Sequence, residues 1–171
     1  MGDLIIYGNS GVCSVESIGK LDIRWINKSK LYYTLCPIYR EGKIFAPIDT
    51  NLFMRPVITY EEVQHLIEII PSINEIDCYN YDFRDLTEQY NKLLQEYNCV
   101  DLLKLIKTIY VKNSITVKHG KQLGQVDNKF MKQAEELLYG EFAVALKIPK
   151  EKVKSYIEYR VKELEKRTVS Y

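Results

Sequence analysis

The sequence predicts an α+β protein in which a small antiparallel β module is followed by an all-α domain. Two observations support this prediction. The first fifty residues consist of short apolar or alternating runs separated by tight-turn signals such as Gly8-Asn9-Ser10-Gly11. After residues 55–58, apolar residues recur at the three- and four-residue spacings that are typical of amphipathic helices.

The N-terminal part is predicted to contain four or five short strands. Pro37 interrupts one of the runs and indicates an edge strand or a bend, because proline cannot donate a hydrogen bond to a sheet. Glu41-Gly42 predicts a hairpin turn into the run that follows. Short strands joined by tight turns form a small, strongly bent antiparallel sheet or barrel. The predicted strands cover residues 3–7, 12–18, 21–26, 31–39 and 43–47.

A first helix is predicted to begin after Thr59 and to end at Pro71. Thr59 and Glu62 have the spacing of a capping box, in which the two side chains satisfy each other's backbone N–H groups. Residues 71–82 are rich in Asn, Asp and Tyr and are predicted to be a linker. The sequence thus predicts a β module with a short closing helix at residues 1–70 and a helical domain at residues 83–171.

Four further helices are predicted within the helical domain. The first covers residues 83–97, and the second begins after Asn98, a favourable N-cap residue. The glycines of residues 111–126 indicate a looser segment, and the third helix follows from about Asp127. Ile148-Pro149 then marks a break before a last, charged helix that extends to about Arg167.

The sequence offers no catalytic or cofactor-binding motif. It contains neither of the glycine-rich loops that cradle phosphates, and its two histidines and four scattered cysteines lack metal-ligand spacing. It has no apolar run of about 18 residues and no signal-peptide pattern. We therefore expect a cytoplasmic protein that is not an enzyme, needs no cofactor, crosses no membrane and binds no small-molecule substrate.

Positive charge is concentrated in the C-terminal third. Residues 112–171 carry 13 basic and eight acidic side chains, a local net charge of +5, whereas the whole chain has a net charge of +1. Such clustering is compatible with a polyanion partner and also with an ordinary solvated face. Residues 112–134 contain five lysines and only one acidic residue, Asp127. The lysines are Lys112, Lys118, Lys121, Lys129 and Lys132.

Several segments resemble the CarD/CdnL family of bacterial transcription regulators. The opening Gly2-Asp3-Leu4-Ile5-Ile6-Tyr7, followed by Gly11-Val12, is similar to the family's first strand and turn. The likeness continues through Tyr33 and residues 40–51. Residues 131–143, MKQAEELLYGEFA, resemble the family's closing helix, so the resemblance extends over nearly the whole chain.

The resemblance implies a transcription regulator without a catalytic site. Its N-terminal part would be a Tudor-like or SH3-like module that docks on the β subunit of RNA polymerase. Its helical part would contact promoter DNA at the upstream edge of the melted bubble, with a wedge tryptophan and basic residues that hold the backbone, and would stabilise the open complex. Because so few charges would contact DNA, its affinity for DNA alone would be weak, and tethering to polymerase would have to supply effective concentration.

The sequence departs from the family's pattern at the sites themselves. Its only tryptophan, Trp25, lies in the β module, where we expect it in the core or on the sheet surface. Tyr79, Tyr81 and Phe83 occupy the position of the wedge, and Phe83 could equally be a core residue. Phe45 stands where the family's hairpin arginine would face polymerase. The candidate polymerase-binding residues are Arg40, Lys43 and Phe45, and the candidate DNA-binding residues are Tyr81, Phe83, Arg84, Lys118, Lys121, Lys129 and Lys132.

Two other functions remain open from the sequence. The protein could be a polymerase-binding adaptor that has lost productive DNA contact, because Arg84 is followed by Asp85 and Glu88 where the family carries arginines. It could also be a generic interaction module unrelated to transcription. Arg40 and Lys43 could also be ordinary solvent-exposed residues of a hairpin that contacts no partner.

Overall fold

The computed structural model describes residues 2–77 and 82–169. Within them it contains a five-stranded antiparallel sheet followed by five helices, so the predicted α+β class is confirmed. Contacts divide the chain into two compact units, one up to Val57 and one from Ile58 onward.

The N-terminal unit is built on strands β1 (Leu4–Tyr7), β2 (Val12–Gly19), β3 (Tyr32–Pro37), β4 (Ile44–Pro47) and β5 (Met54–Pro56). Their order in the sheet is β4-β3-β2-β1-β5, which leaves β4 and β5 as the edge strands. The register shifts between Val15 and Ser17, which indicates a β-bulge, a feature that bends a sheet. One face of the bent sheet buries a small core made of Tyr7, Cys13, Val15, Leu35 and Ala46.

Two strand predictions differ from the structure. Residues 21–26, predicted as a strand, lie in the loop between β2 and β3, where Ile26 N–H donates to the Ile23 carbonyl in a turn. Strand β5 was not predicted, because Pro56 and the shortness of the run obscure it. Pro56 is tolerated there because β5 is an edge strand that pairs with β1 alone.

The C-terminal unit contains helices α1 (Tyr60–Ile69), α2 (Phe83–Gln95), α3 (Cys99–Lys118), α4 (Gln125–Leu146) and α5 (Lys150–Val169). The predicted caps are confirmed. Thr59 N–H donates to Glu62 at 2.6 Å and Glu62 N–H donates to the Thr59 hydroxyl at 3.2 Å, while Asn98 accepts from Val100 N–H. The central core includes Tyr90, Leu105 and Phe142.

Two further features differ from the sequence prediction. Residues 111–118 are a regular continuation of α3 and not a loose segment, and the connection to α4 contains only residues 119–124. Helix α1 was assigned to the β module, but Val63 and Ile67 are fully buried in the core formed by the later helices. The division of the chain therefore falls before α1, and not at residue 70.

The described part of the predicted linker is attached to the helical core. The Lys107 ammonium donates to the carbonyls of Ile70, Pro71 and Ile73 at 2.7–3.1 Å, and Ile76 N–H donates to the Thr108 hydroxyl at 3.0 Å. Helix α3 thus fixes the chain that leaves α1.

Candidate partner-binding surfaces

The β3–β4 hairpin brings together the three residues predicted to bind polymerase. We call Arg40, Lys43 and Phe45 the hairpin surface. The turn uses Gly42 in a left-handed conformation with φ of +105°, which favours glycine because it has no Cβ. All three side chains are exposed.

The two cations of the hairpin surface have different surroundings. Lys43 forms an ion pair with Glu16 at 2.6 Å across the sheet, and this hydrogen bond holds the pKa of Glu16 below its usual value. Arg40 forms no ion pair with any part of the chain that the structure describes. Arg40 is therefore the more available charge for a partner, because Lys43 would first have to leave Glu16.

Phe45 lies on the outer strand of the sheet. It is opposite Thr34 on β3, and the other side of β4 has no strand partner among the described residues. An open edge of this kind can accept a further strand from a partner, while adjacent side chains supply specificity. Phe45 is 36% exposed beside the buried Ala46, so an aromatic ring stands next to that edge.

Phe83 and Arg84 form the first turn of α2. Asp82 caps this helix by accepting from Arg84 N–H at 2.8 Å and from Asp85 N–H at 2.9 Å. Phe83 is 75% exposed, so the core alternative for this residue is wrong. Tyr79 and Tyr81, the other wedge candidates, lie outside the described residues.

The four candidate lysines lie around the connection between α3 and α4. Lys118 is the last residue of α3, Lys121 follows in the connection, and Lys129 and Lys132 lie in the first turns of α4. All four are exposed. Lys129 also lies over the ring of Phe130, with 5.9 Å between its nitrogen and the ring centroid.

Hydrogen bonds of a buried polar cluster set the positions of α2, α3 and α4 along one another. Asp127, only 3% exposed, accepts a hydrogen bond from the Tyr90 hydroxyl at 2.8 Å and pairs with Lys112 at 2.9 Å. The positive charge of Lys112 is therefore paired with Asp127 inside the helical unit. Lys112 does not add to the exposed positive charge of residues 112–134. Removing Lys112 would leave the buried Asp127 carboxylate without its ion-pair partner.

This cluster places Phe83 and Lys118 at the same end of the helical unit. Phe83 precedes Tyr90 by seven residues and Lys118 follows Lys112 by six, so each lies about 10 Å beyond the Asp127 level. Both lie in the same direction, because α2 and α3 are antiparallel neighbours joined by a short connection. We call Phe83, Arg84, Lys118 and Lys121 the bundle-end surface. Lys129 and Lys132 follow Asp127 along α4, which runs antiparallel to α3, so they lie on the other side of the Asp127 level.

Sequence reasoning missed the most exposed aromatic residue of the β module. Trp25 was expected in the core or on the sheet surface, but it lies in the β2–β3 loop and is 86% exposed. Asn27, Lys28 and Ser29 are turn-forming or polar residues that could have indicated a loop at this position.

The described residues hold no cluster of His, Cys, Asp or Glu suited to a metal ion. No helix within residues 2–77 and 82–169 is long and apolar enough to cross a membrane.

Comparison with known proteins supports an assignment for the N-terminal unit. Residues 1–58 match the family model of the CarD-like/TRCF RID domain, an RNA polymerase-interacting domain. The match ends at residue 58, next to the boundary between the two compact units, so the matched domain coincides with the N-terminal unit. No match was found among the curated proteins.

The N-terminal unit is therefore a domain of the class that interacts with RNA polymerase. Residues 1–58 are thus similar to a CarD-like RNA polymerase-interacting domain, and the resemblance of the first strands to that family is confirmed. The matched domain is a protein-interaction domain and belongs to no known enzyme family.

Proposed function

We propose that this protein regulates transcription by docking on the polymerase β subunit through its hairpin surface and stabilising the open promoter complex through its bundle-end surface. The observation that carries the proposal is the CarD-like/TRCF RID domain over residues 1–58. The exposed Arg40 and Phe45 beside an open sheet edge supply a surface of suitable chemistry for a protein partner.

The bundle end supports the DNA half of the proposal. An exposed aromatic ring can fill the gap at a distorted base step, and nearby lysines can attract phosphates. Phe83 has the required exposure, and the helix order places Lys118 and Lys121 at the same end.

A second candidate function is an adaptor that binds polymerase without productive DNA contact. One observation favours it. Asp82 and Asp85 flank Phe83 and Arg84 in the first turn of α2, and their carboxylates would repel phosphate groups. The two functions share the hairpin surface and differ only at the bundle end.

The test of polymerase docking is charge reversal on the hairpin surface. The double variant Arg40→Glu/Lys43→Glu of the full chain should bind a purified β-lobe fragment at least tenfold more weakly, because it opposes charge at the proposed contact. Its melting temperature should fall only slightly, because both side chains are exposed and the Lys43–Glu16 ion pair that the change removes lies on the surface. Binding can be measured by biolayer interferometry.

A matched control is Lys152→Glu/Lys162→Glu, which makes the same charge change at exposed positions of α5. It should bind the β lobe as the unmodified chain does. Equal binding by the hairpin variant and this control would remove the hairpin surface from the polymerase contact.

A further inference from the structure

Trp25 is the most exposed large apolar residue that the structure describes. It is 86% exposed, above Phe83 at 75% and Tyr159 at 62%. An indole carries a large apolar area, and leaving it in water forgoes the stabilisation that burial would give. Folding of the β module therefore does not account for a tryptophan at this position.

Among residues 20–30, Trp25 is the one large apolar side chain that is exposed, whereas Leu31 and Ile48, which are 41% and 48% exposed, lie at the base of the loop. The neighbours of Trp25, Ile23 and Ile26, are half-buried, and Arg24 is exposed. A membrane-inserting loop would expose several apolar side chains together. The arrangement suits a partner that accepts one flat aromatic ring.

The loop is held in shape by local bonds. Ile26 N–H donates to the Ile23 carbonyl at 3.2 Å, and Lys28 forms an ion pair with Asp22 on the other side of the tip. At the base of the loop, Ile48 N–H donates to the Leu31 carbonyl at 3.1 Å. The ring is thus presented by a loop with defined turns, which lowers the entropy lost on binding.

The charge around the ring is positive. Lys28 and Lys30 are paired with Asp22 and Asp49, the latter at 2.7 Å. Lys20 and Arg24 are exposed and form no ion pair within the described residues. Two uncompensated cations beside one exposed indole complement a polyanion that also carries aromatic rings.

We propose that the β2–β3 loop is a binding site for single-stranded nucleic acid, in which Trp25 stacks on an unpaired base and Lys20 and Arg24 contact flanking phosphates. Stacking on aromatic side chains combined with basic residues along the backbone is the general mode of single-strand recognition. A protein groove would also accept a tryptophan, but Lys is depleted at such interfaces and is abundant in this loop. The inference goes beyond docking on polymerase and does not depend on it.

The sequence offers a direct measurement, because Trp25 is the only tryptophan. The intrinsic fluorescence of the full chain therefore reports on this ring alone, and stacking on a base quenches indole emission. Titration with oligo(dT) and, separately, with oligo(U) should give saturable quenching that added salt reverses. The comparison of the two arms shows whether the site distinguishes DNA from RNA.

Substitutions test the roles of the individual residues. Trp25→Ala should weaken binding of a labelled oligonucleotide, measured by anisotropy, by about five- to 150-fold. Trp25→Phe should lose less, and Arg24→Gln should lower the slope of log affinity against log salt by roughly 0.7. The matched control is Leu52→Ala, which removes another exposed apolar side chain of the same unit and should leave binding unchanged.

Three results would overturn the proposal. One is the absence of quenching by either oligonucleotide. Another is a change in Trp25 emission only with the isolated β lobe or only with anionic phospholipid vesicles, which would assign the ring to a protein or a membrane. The third is equal oligonucleotide affinity of Trp25→Ala and Leu52→Ala. Polymerase docking is measured separately on the hairpin variants, so failure of one proposal is distinguishable from failure of the other.

Discussion

Phe83 is the residue on which the proposed promoter contact depends most. Its ring is exposed at the start of α2, and Asp82 holds the helix end through backbone N–H groups, so the ring has no part in the cap. Phe83→Ala should therefore lower the free energy of unfolding by no more than about 0.5 kcal/mol. It should shorten the lifetime of open promoter complexes, because a methyl group cannot fill an unstacked step.

The control for Phe83 is Tyr159→Ala, which removes another exposed aromatic ring, on α5. Competitor-challenge assays of open-complex lifetime and thermal melts should be run on both variants. If the two variants give the same lifetime as the unmodified protein, Phe83 is not a wedge and the adaptor function is favoured.

At the scale of elements, the α3–α4 connection determines whether the helical unit attracts DNA. Lys118 and Lys121 are exposed at this connection. If the connection contacts phosphates, log affinity for fork-junction DNA should fall linearly with log salt. Lys118→Gln/Lys121→Gln should reduce the slope by roughly two or less and weaken different sequences about equally.

The corresponding control is Lys152→Gln/Lys162→Gln, which removes the same charge from α5. It should leave the salt slope nearly unchanged. A slope near zero in the unmodified protein would identify Lys118, Lys121, Lys129 and Lys132 as solvent-exposed residues without a phosphate contact.

At the scale of the whole molecule, α1 belongs to the helical unit although the sequence grouped it with the strands. Val63 and Ile67 are fully buried against that unit, and Ile58 N–H donates to the buried Glu141 at 3.1 Å. A fragment of residues 58–171 should therefore be more stable than one of residues 71–171 by roughly 3–6 kcal/mol, the contribution of two buried aliphatic side chains.

Chemical denaturation followed by circular dichroism measures this difference directly. A fragment of residues 1–58 should fold and bind the β lobe without α1, because its core lies within the sheet. Equal stability of the two helical fragments would contradict the assignment of α1 to the helical unit.

Much of this architecture could be predicted because it depends on short-range patterns. The capping box at Thr59 and Glu62, the N-cap at Asn98 and four of the five strands follow from residues within a few positions of one another. Strand β5 was not predicted, because a run of three residues that includes a proline is too short to show the alternation typical of a strand. The candidate polymerase-binding residues and the wedge candidates were selected by resemblance, and the four lysines by the clustering of positive charge. All of these roles stay predictions.

The sequence by itself determined the fold class, the helix caps and the RNA polymerase-interacting domain at the N-terminus. Only the tertiary structure decided that Trp25 and Phe83 are exposed, that Lys112 is neutralised by Asp127 and that α1 packs with the helices. The physical reason is the range of the interactions. Hydrogen bonds within turns and helix ends join close neighbours in the chain, whereas burial and ion pairing depend on residues that packing brings together from distant segments.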